Sequence, residues 1–467
     1  MHTVIGLEVH AQLATRSKLF CGCSADYFQR PPNAHACPVC LGMPGALPVL
    51  NRRAVELTLR VGFALGCAVP EHSSFDRKNY FYPDLPKGYQ ISQYDAPLCQ
   101  GGSLAFELDG QARTVRVNRV HLEEDAGKSV HEGAQSQVDL NRACVPLIEI
   151  VTEPDLRSPE EAAAFMKAMR QLLRYLDACD GDMEKGSLRC DANISLSADG
   201  VTLGTKTEIK NMNSFKGVED ALRFEAKRQR ALLEAGQAVV QQTLDWDAEA
   251  GLAVPRRGKE AAEDYRYFPD PDLVPVQVDE AWRQRVRAET PGTPAQYRQR
   301  FSQAHGLPDY DVGVLTEERE VADYVEAVLA RHPEPKDVSN WVMGEVLRLR
   351  KAHGALKVSP EDLAELLKLV AAGQINRNTG KDVIQQAFET GRRPQQIVQA
   401  QGLAQISDAG ELEALVDALL AEHPDEVADY RGGNDKVIGW FVGQLMGKTQ
   451  GKANPKAARE ILTRKLG

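Results

Sequence analysis

Near residue 292 the chain changes its hydrophobic period, and no single layer of secondary structure can serve both halves. Residues 1–292 carry short alternating runs punctuated by Pro, Gly and Asn, with one helical interruption expected at 158–178. Ser158, Pro159 and Glu161 start that helix as N-cap, N1 proline and capping-box acid. Phe165, Met169, Leu172, Leu173 and Leu176 line its apolar face. From 293 onward strand signals vanish, and helical patterns follow at 319–331, 337–353, 360–372, 379–390, 409–421 and 455–465. Ser359-Pro360-Glu361-Asp362 opens one of these, and Gly391-Arg392-Arg393-Pro394 breaks the series, which places a further boundary near 400.

With 467 residues the chain has room for two to four such units. No apolar run reaches the ~20 residues of a membrane span, and the start, MHTVIGLEVH, lacks the pattern of a leader. A cytoplasmic protein without a membrane partner is expected. The net charge of −10 excludes a uniformly basic coat. Charge is nevertheless divided at the end of the chain: residues 401–430 hold eight acids and no Lys or Arg, whereas 431–467 hold eight Lys/Arg against two acids. The basic end suits either a phosphate backbone or an ion-paired helix face.

Cys21-x-Cys23 and Cys37-x-x-Cys40 are close pairs separated by thirteen residues, a spacing that supplies four thiolates to one tetrahedral Zn²⁺. Four protein ligands leave no open position, so this zinc would be structural, pinning the loop through Arg30-Pro31-Pro32; His35 is a lesser ligand candidate. Cys67, Cys99, Cys144, Cys179 and Cys190 stand singly among apolar residues, as buried fillers do.

Period two sorts the first strand into Ile5, Leu7, Val9, Ala11 and Leu13 on one face, with Glu8, His10 and Gln12 on the other. In Val120-His121-Leu122-Glu123-Glu124 the same rule sets His121 and Glu123 together and selects Glu123 over Glu124. Glu149 interrupts the apolar run Pro146–Val151, where an unpaired charge is costly. Such carboxylates and a histidine are ligands for Mg²⁺ on nucleotide phosphates, or else members of salt bridges with Arg116, Arg119 and Arg142. A later pair of runs, 187–196 and 205–211 around Asp199-Gly200, reads as a hairpin. Its polar faces carry Arg189, Asp191, Asn193 and Ser195, and Lys206, Glu208 and Lys210, either to grip phosphate and metal or as a solvated face of ion pairs. No GxxxxGK[ST] occurs, so an ATP site here is not a Walker P-loop.

Together, VDLNRACVPLIEI at 138–150, IGLEVH at 5–10, RKNYFYPDLPKGYQISQYD at 77–95, HLEEDAGKS at 121–129, GSLRCDANISL at 186–196, DYRYFPDPDL at 264–273 and GQLMGKTQGKANP at 443–455 resemble the B subunit (GatB) of the tRNA-dependent amidotransferases. The resemblance implies an α+β chain: a mostly antiparallel-sheet, cradle-like catalytic domain over 1–292, an all-α helical domain over 293–400 and a small α-helical YqeY-like tail over 401–467. It implies an ATP-dependent amido-ligase that activates the side-chain carboxylate of Glu-tRNA(Gln) or Asp-tRNA(Asn) as an acyl phosphate. Ammonia from an amidase A subunit would then displace phosphate, with a small C subunit completing a heterotrimer. Carried onto this chain, Glu8, His10, Glu123 and Glu149 match the family's Mg²⁺ site. The tail would grip tRNA, with Lys448, Lys452 and Lys456 as first candidates, while Arg189, Lys206 and Lys210 remain candidates for ATP. A zinc-clipped RNA-binding scaffold and a tRNA-independent ligase are the competing readings.

Overall fold

The computed structural model describes residues 1–133, 135–256, 265–404, 409–449 and 452–467; Asp264 of the 264–273 motif and Gln450-Gly451 of the 443–455 motif lie outside them. The chain forms two compact units, Met1–Pro294 and Ala295–Gly467.

The first unit is built on a nine-stranded sheet. Its strands are β1 (His2–Gln12), β2 (Cys99–Gln100), β3 (Ser103–Leu108), β4 (Gln111–Glu124), β5 (Pro146–Thr152), β6 (Leu188–Ser197), β7 (Thr207–Lys210), β8 (Thr243–Asp247) and β9 (Leu252–Pro255). Their order is β9-β8-β7-β6-β1-β5-β4-β2, with β3 paired to β4. Every pairing is antiparallel except β7 with β8. The alternation of β1 does what its period requires. Ile5, Leu7, Val9 and Ala11 are fully buried, and Val120, Leu122, Ile148, Ile150, Cys190, Ala192 and Ile194 from its neighbours join the same core. Against this face packs α2 (Pro159–Tyr175), whose Ser158 hydroxyl accepts from Glu161 N–H as the capping box demands.

The expected single helical interruption is corrected, because α1 (Arg52–Ala64), α3 (Phe215–Glu234) and α4 (Glu280–Ala288) also lie in this unit. In α1 the β-branched Val55, Thr58 and Val61 mimic a strand, yet Asn51 caps it by accepting from Arg53 N–H and its buried stripe is helical. The buried face of α3 includes Glu225 and Gln229, polar residues that shorten its apolar signal. They are satisfied within a cluster: Thr207 Oγ1 donates to Glu225 at 2.8 Å, and Gln229 Nε2 donates to Thr207 Oγ1 at 2.9 Å. Beside β4 stands a small sheet of Asp76–Asn79, Tyr89–Ser92 and Phe268–Pro269, tied by Arg77 to Asp270 and Asp272 at 2.8 Å each.

The second unit is helical throughout its described residues. The expected helices appear as Arg319–Leu329, Pro335–His353, Pro360–Ala371, Arg377–Thr390, Ala409–Glu422 and Pro455–Leu466; the second contains a π turn over Val342–Val346. Helices Asp309–Leu315, Pro394–Ala400, Pro424–Arg431 and Val437–Lys448 were not legible. The last of these carries Gly439, Gly443 and Gly447, which depress its helical signal. Leu412, Val416, Leu419, Phe441, Leu445, Leu462 and Leu466 form a separate core within this unit. Among the described residues no helix is long and apolar enough to cross a membrane.

Candidate active site

The face of the sheet opposite the helices is a polar floor assembled by register. Glu149 on β5 lies opposite His121 on β4 and His10 on β1, and His10 lies opposite Arg189 on β6. Glu149 Oε2 sits 3.4 Å from His10 Nε2 and 3.3 Å from His121 Nε2. Glu123 reaches the same histidines at 4.0 and 3.5 Å and accepts a 3.0 Å hydrogen bond from Ser92 Oγ. His10, Glu123 and Glu149 each offer a ligand atom within 4.8 Å of the others. Glu124 points away from this group and pairs with Lys87, so Glu123 is the member of the pair on the site face. Arg116 and Arg142 pair with Asp155 and Asp125, which removes the salt-bridge alternative for them.

The buried acids and imidazoles act on one another's titration. Burial alone would push both imidazoles toward neutrality, but Glu149 outweighs it, raising His10 and lifting His121 to about 9. Burial likewise opposes ionisation of Glu149 and Glu123, and the histidines overcome it, holding both below the usual carboxylate range. His121 Nδ1 is buried without a partner among the described residues. Two carboxylates and an imidazole converging on one point are a donor set that fits a hard divalent cation such as Mg²⁺.

Glu8 lies one row away on the same face of β1. It groups with Asp191 and Glu208 within 4.8 Å and accepts 3.0 Å from Asn193 Nδ2. Burial, then Glu149, Glu208 and Asp191, raise its pKa. The expected hairpin forms, with Asn193 opposite Glu208 on β6 and β7, but its three cations are not gathered. Arg189 donates to Asp125 at 2.8 Å, beside Gln12, which also reaches Asp125 at 2.8 Å. Lys210 lies between Asp191 and Glu208, while Lys206 is exposed just ahead of β7. Lys78, Tyr265 and Tyr267 are neighbours of the acidic group that pattern reading missed. The strand of Lys78 is four residues long and too short to show a period.

The cysteine quartet closes as spaced, with the sulfurs of Cys21, Cys23, Cys37 and Cys40 all within 4.8 Å of one another. Their mutual hydrogen bonding divides charge unequally: the contact with Cys21 holds Cys40 down at about 4 and pushes Cys21 up. Four sulfurs this close fit a soft tetrahedral cation such as Zn²⁺. His35 stands outside the group and contributes backbone only, its N–H to Asn141 Oδ1 at 2.7 Å and its carbonyl to Lys18 Nζ at 2.6 Å. The remaining five cysteines are buried. In the second unit Lys448 pairs with Glu422, Arg464 with Glu413 and Lys465 with Asp417. Lys452 is half-buried and Lys456 exposed.

A sheet floor carrying a carboxylate–imidazole group, followed by a helical unit, defines an α+β protein with a candidate divalent-cation site of the kind phosphate chemistry uses. Comparison with known families narrows the class. Residues 3–284 match the GatB/GatE catalytic domain and residues 323–466 match the GatB domain, and the chain belongs to this family. It is 53% identical over 472 residues to the B subunit of the aspartyl/glutamyl-tRNA(Asn/Gln) amidotransferase from Moorella thermoacetica, covering 99% of each chain. The proteins of the same name from Thermodesulfovibrio yellowstonii and an Anaeromyxobacter strain are 51% and 53% identical, over 98% and 99% of this chain and 98% of each relative.

Proposed function

We propose that this chain is the ATP-dependent B subunit of a tRNA-dependent amidotransferase, acting on Glu-tRNA(Gln), Asp-tRNA(Asn) or both. The observation that carries the reading is Glu149, a carboxylate in an apolar strand, flanked by His10 and His121 and joined by Glu123. A packed salt bridge would need fewer groups. This arrangement instead leaves charged oxygens converging on one point of the sheet's polar face.

In the reaction so assigned, a side-chain carboxylate oxygen attacks the γ-phosphorus of ATP; the new O–P bond forms as the bridging P–O bond breaks, and ADP leaves with the electron pair. Ammonia then attacks the carbonyl carbon, the C–N bond forms, the C–O bond to phosphate breaks, and the proton lost from nitrogen ends on the departing phosphate. A divalent cation held by Glu8, His10, Glu123 and Glu149 would supply neutralisation of phosphate charge. Ser92 and His121 keep Glu123 and Glu149 ionised and aimed. Glu8 with Asp191 and Glu208 extends the acidic floor by one row, and Lys210 limits its charge.

The finer assignments are part of the same proposal. An amidase A subunit and a small C subunit are the proposed partners, misacylated tRNA is the proposed substrate, and the cytoplasm is the proposed compartment. The division of the helical part at 400, a structural zinc on the quartet, ATP contacts by Arg189, Lys206 and Lys210, and tRNA contacts by Lys448, Lys452 and Lys456 belong to the same reading. The test is ADP release by the chain reconstituted with A and C subunits and ammonia. Stimulation by glutamyl-tRNA(Gln) or aspartyl-tRNA(Asn), but not by the uncharged tRNAs, is expected. Equal release with uncharged tRNA would sink the reading.

A further inference from the structure

We propose that Lys78 is a catalytic residue that binds the transferring phosphoryl group from the side opposite the Glu123–Glu149 carboxylates; the assignment rests on the carboxylate-kinase reading above. The strand that carries it is fixed over the site. Asp76 pairs with Ser92 and Lys78 with Gln90, so these four share one face. Ser92 Oγ holds Glu123 at 3.0 Å and Gln90 Nε2 holds the Glu124 carbonyl at 2.7 Å. Lys78 therefore extends from a strand docked against the end of β4, where Glu123 stands.

Its charge partners there are Glu123 and Glu149, yet among the described residues no carboxylate oxygen comes within the 4.0 Å of an ion pair. The nearest recorded partner of its Nζ is the Tyr265 ring, 4.6 Å from the centroid. Two other lysines near this sheet behave differently: Lys87 pairs directly with Glu124, and Lys210 lies 2.9 Å from Glu208. A half-buried ammonium beside two carboxylates lowers its energy by closing on them, unless packing holds it off. Tyr265 packs edge-to-face with Tyr80 and with Tyr267, at 6.0 Å in each case, and forms the wall that does so. The ammonium so held and the carboxylates leave a separation of more than 4.0 Å between unlike charges. A cation-bound anion fits it, with the cation on the carboxylates and the anion's outer oxygens on Lys78. In the proposed reaction that anion is the phosphoryl group as its P–O bond to ADP breaks. Lys78 donates hydrogen bonds to its oxygens and gives up no proton.

The experiment uses the full complex with A and C subunits, misacylated tRNA and Mg·ATP, without ammonia, trapping the acyl phosphate with hydroxylamine. Lys78→Met should lower ADP and hydroxamate formation by about 10²-fold or more, the loss typical of one donor to a developing charge. Lys78→Arg, which is charged but bulkier, should retain more activity than Met. A role in packing alone would reverse that order and overturn the proposal. It is equally overturned if Lys78→Met releases ADP at the wild-type rate and fails only when ammonia must be incorporated, which would assign Lys78 to the nitrogen. A wild-type complex that releases no ADP with misacylated tRNA would refute the kinase reading itself, and this assignment with it.

Discussion

Lys18 is fully buried and links the cysteine quartet to the rest of the first unit. Its Nζ donates to the His35 carbonyl at 2.6 Å, to the Leu140 carbonyl at 3.3 Å and to Cys40 Sγ at 3.7 Å. Lys18→Met keeps the aliphatic stem and deletes the ammonium. A hydrogen bond from a charged donor contributes ~1.5–3 kcal/mol, so one short and one long bond together account for ~3–5 kcal/mol. Relief of burying the ammonium returns part of this, leaving a net loss of ~2–4 kcal/mol. A zinc held by four thiolates carries net negative charge, so the same substitution should also speed metal release by about tenfold or more. The assays are denaturant unfolding of the full chain at fixed zinc and the rate of zinc transfer to a chromophoric chelator. A variant within about 0.5 kcal/mol of wild type, with unchanged release, would refute both the anchoring role of Lys18 and its electrostatic coupling to the sulfurs.

Glu149→Gln should abolish tRNA-stimulated ADP release, a loss of about 10²–10³-fold, while leaving tRNA binding nearly intact; retained turnover would remove Glu149 from the site. Gly62 lies in α1 where an added Cβ would stand 2.3 Å from Cys99 Sγ, so Gly62→Ala should cost about 1–3 kcal/mol and be partly rescued by Cys99→Ala in unfolding titrations. Asp311 is buried, and although burial opposes its charge, Lys336 at 2.8 Å and Ser339 at 2.5 Å hold its carboxyl below the ordinary range. Its contribution is therefore complete above about pH 4 and is lost as pH falls through the folded value. Asp311→Asn should flatten the acid limb of stability against pH, and an equally steep limb in the variant would contradict the assignment.

Some of this molecule is local and could be read directly. Strand alternation is a backbone property, so the separation of Glu8, His10 and Gln12 from the core residues of β1, and of Glu123 from Glu124, follows from period two alone. The same holds for the cysteine spacing and for the capped starts at Ser158 and Ser359, each closed by atoms within a few residues. Helices α1 and α3 were illegible because one is rich in β-branched residues and the other buries Glu225 and Gln229, whose partners include Thr207 on another strand.

Tertiary structure decided which charges meet. The registers of β1, β5 and β4 place Glu149 between His10 and His121 and shift Glu8 toward Asp191 and Glu208. The β1 pairings join residues more than a hundred positions apart, and no local pattern records the offset. The same reason hides Lys78, on a strand of four residues whose place over Glu123 depends on Ser92 and Gln90. The sequence alone determined the residue types and faces available to the site. Long-range strand pairing determined which of them come together.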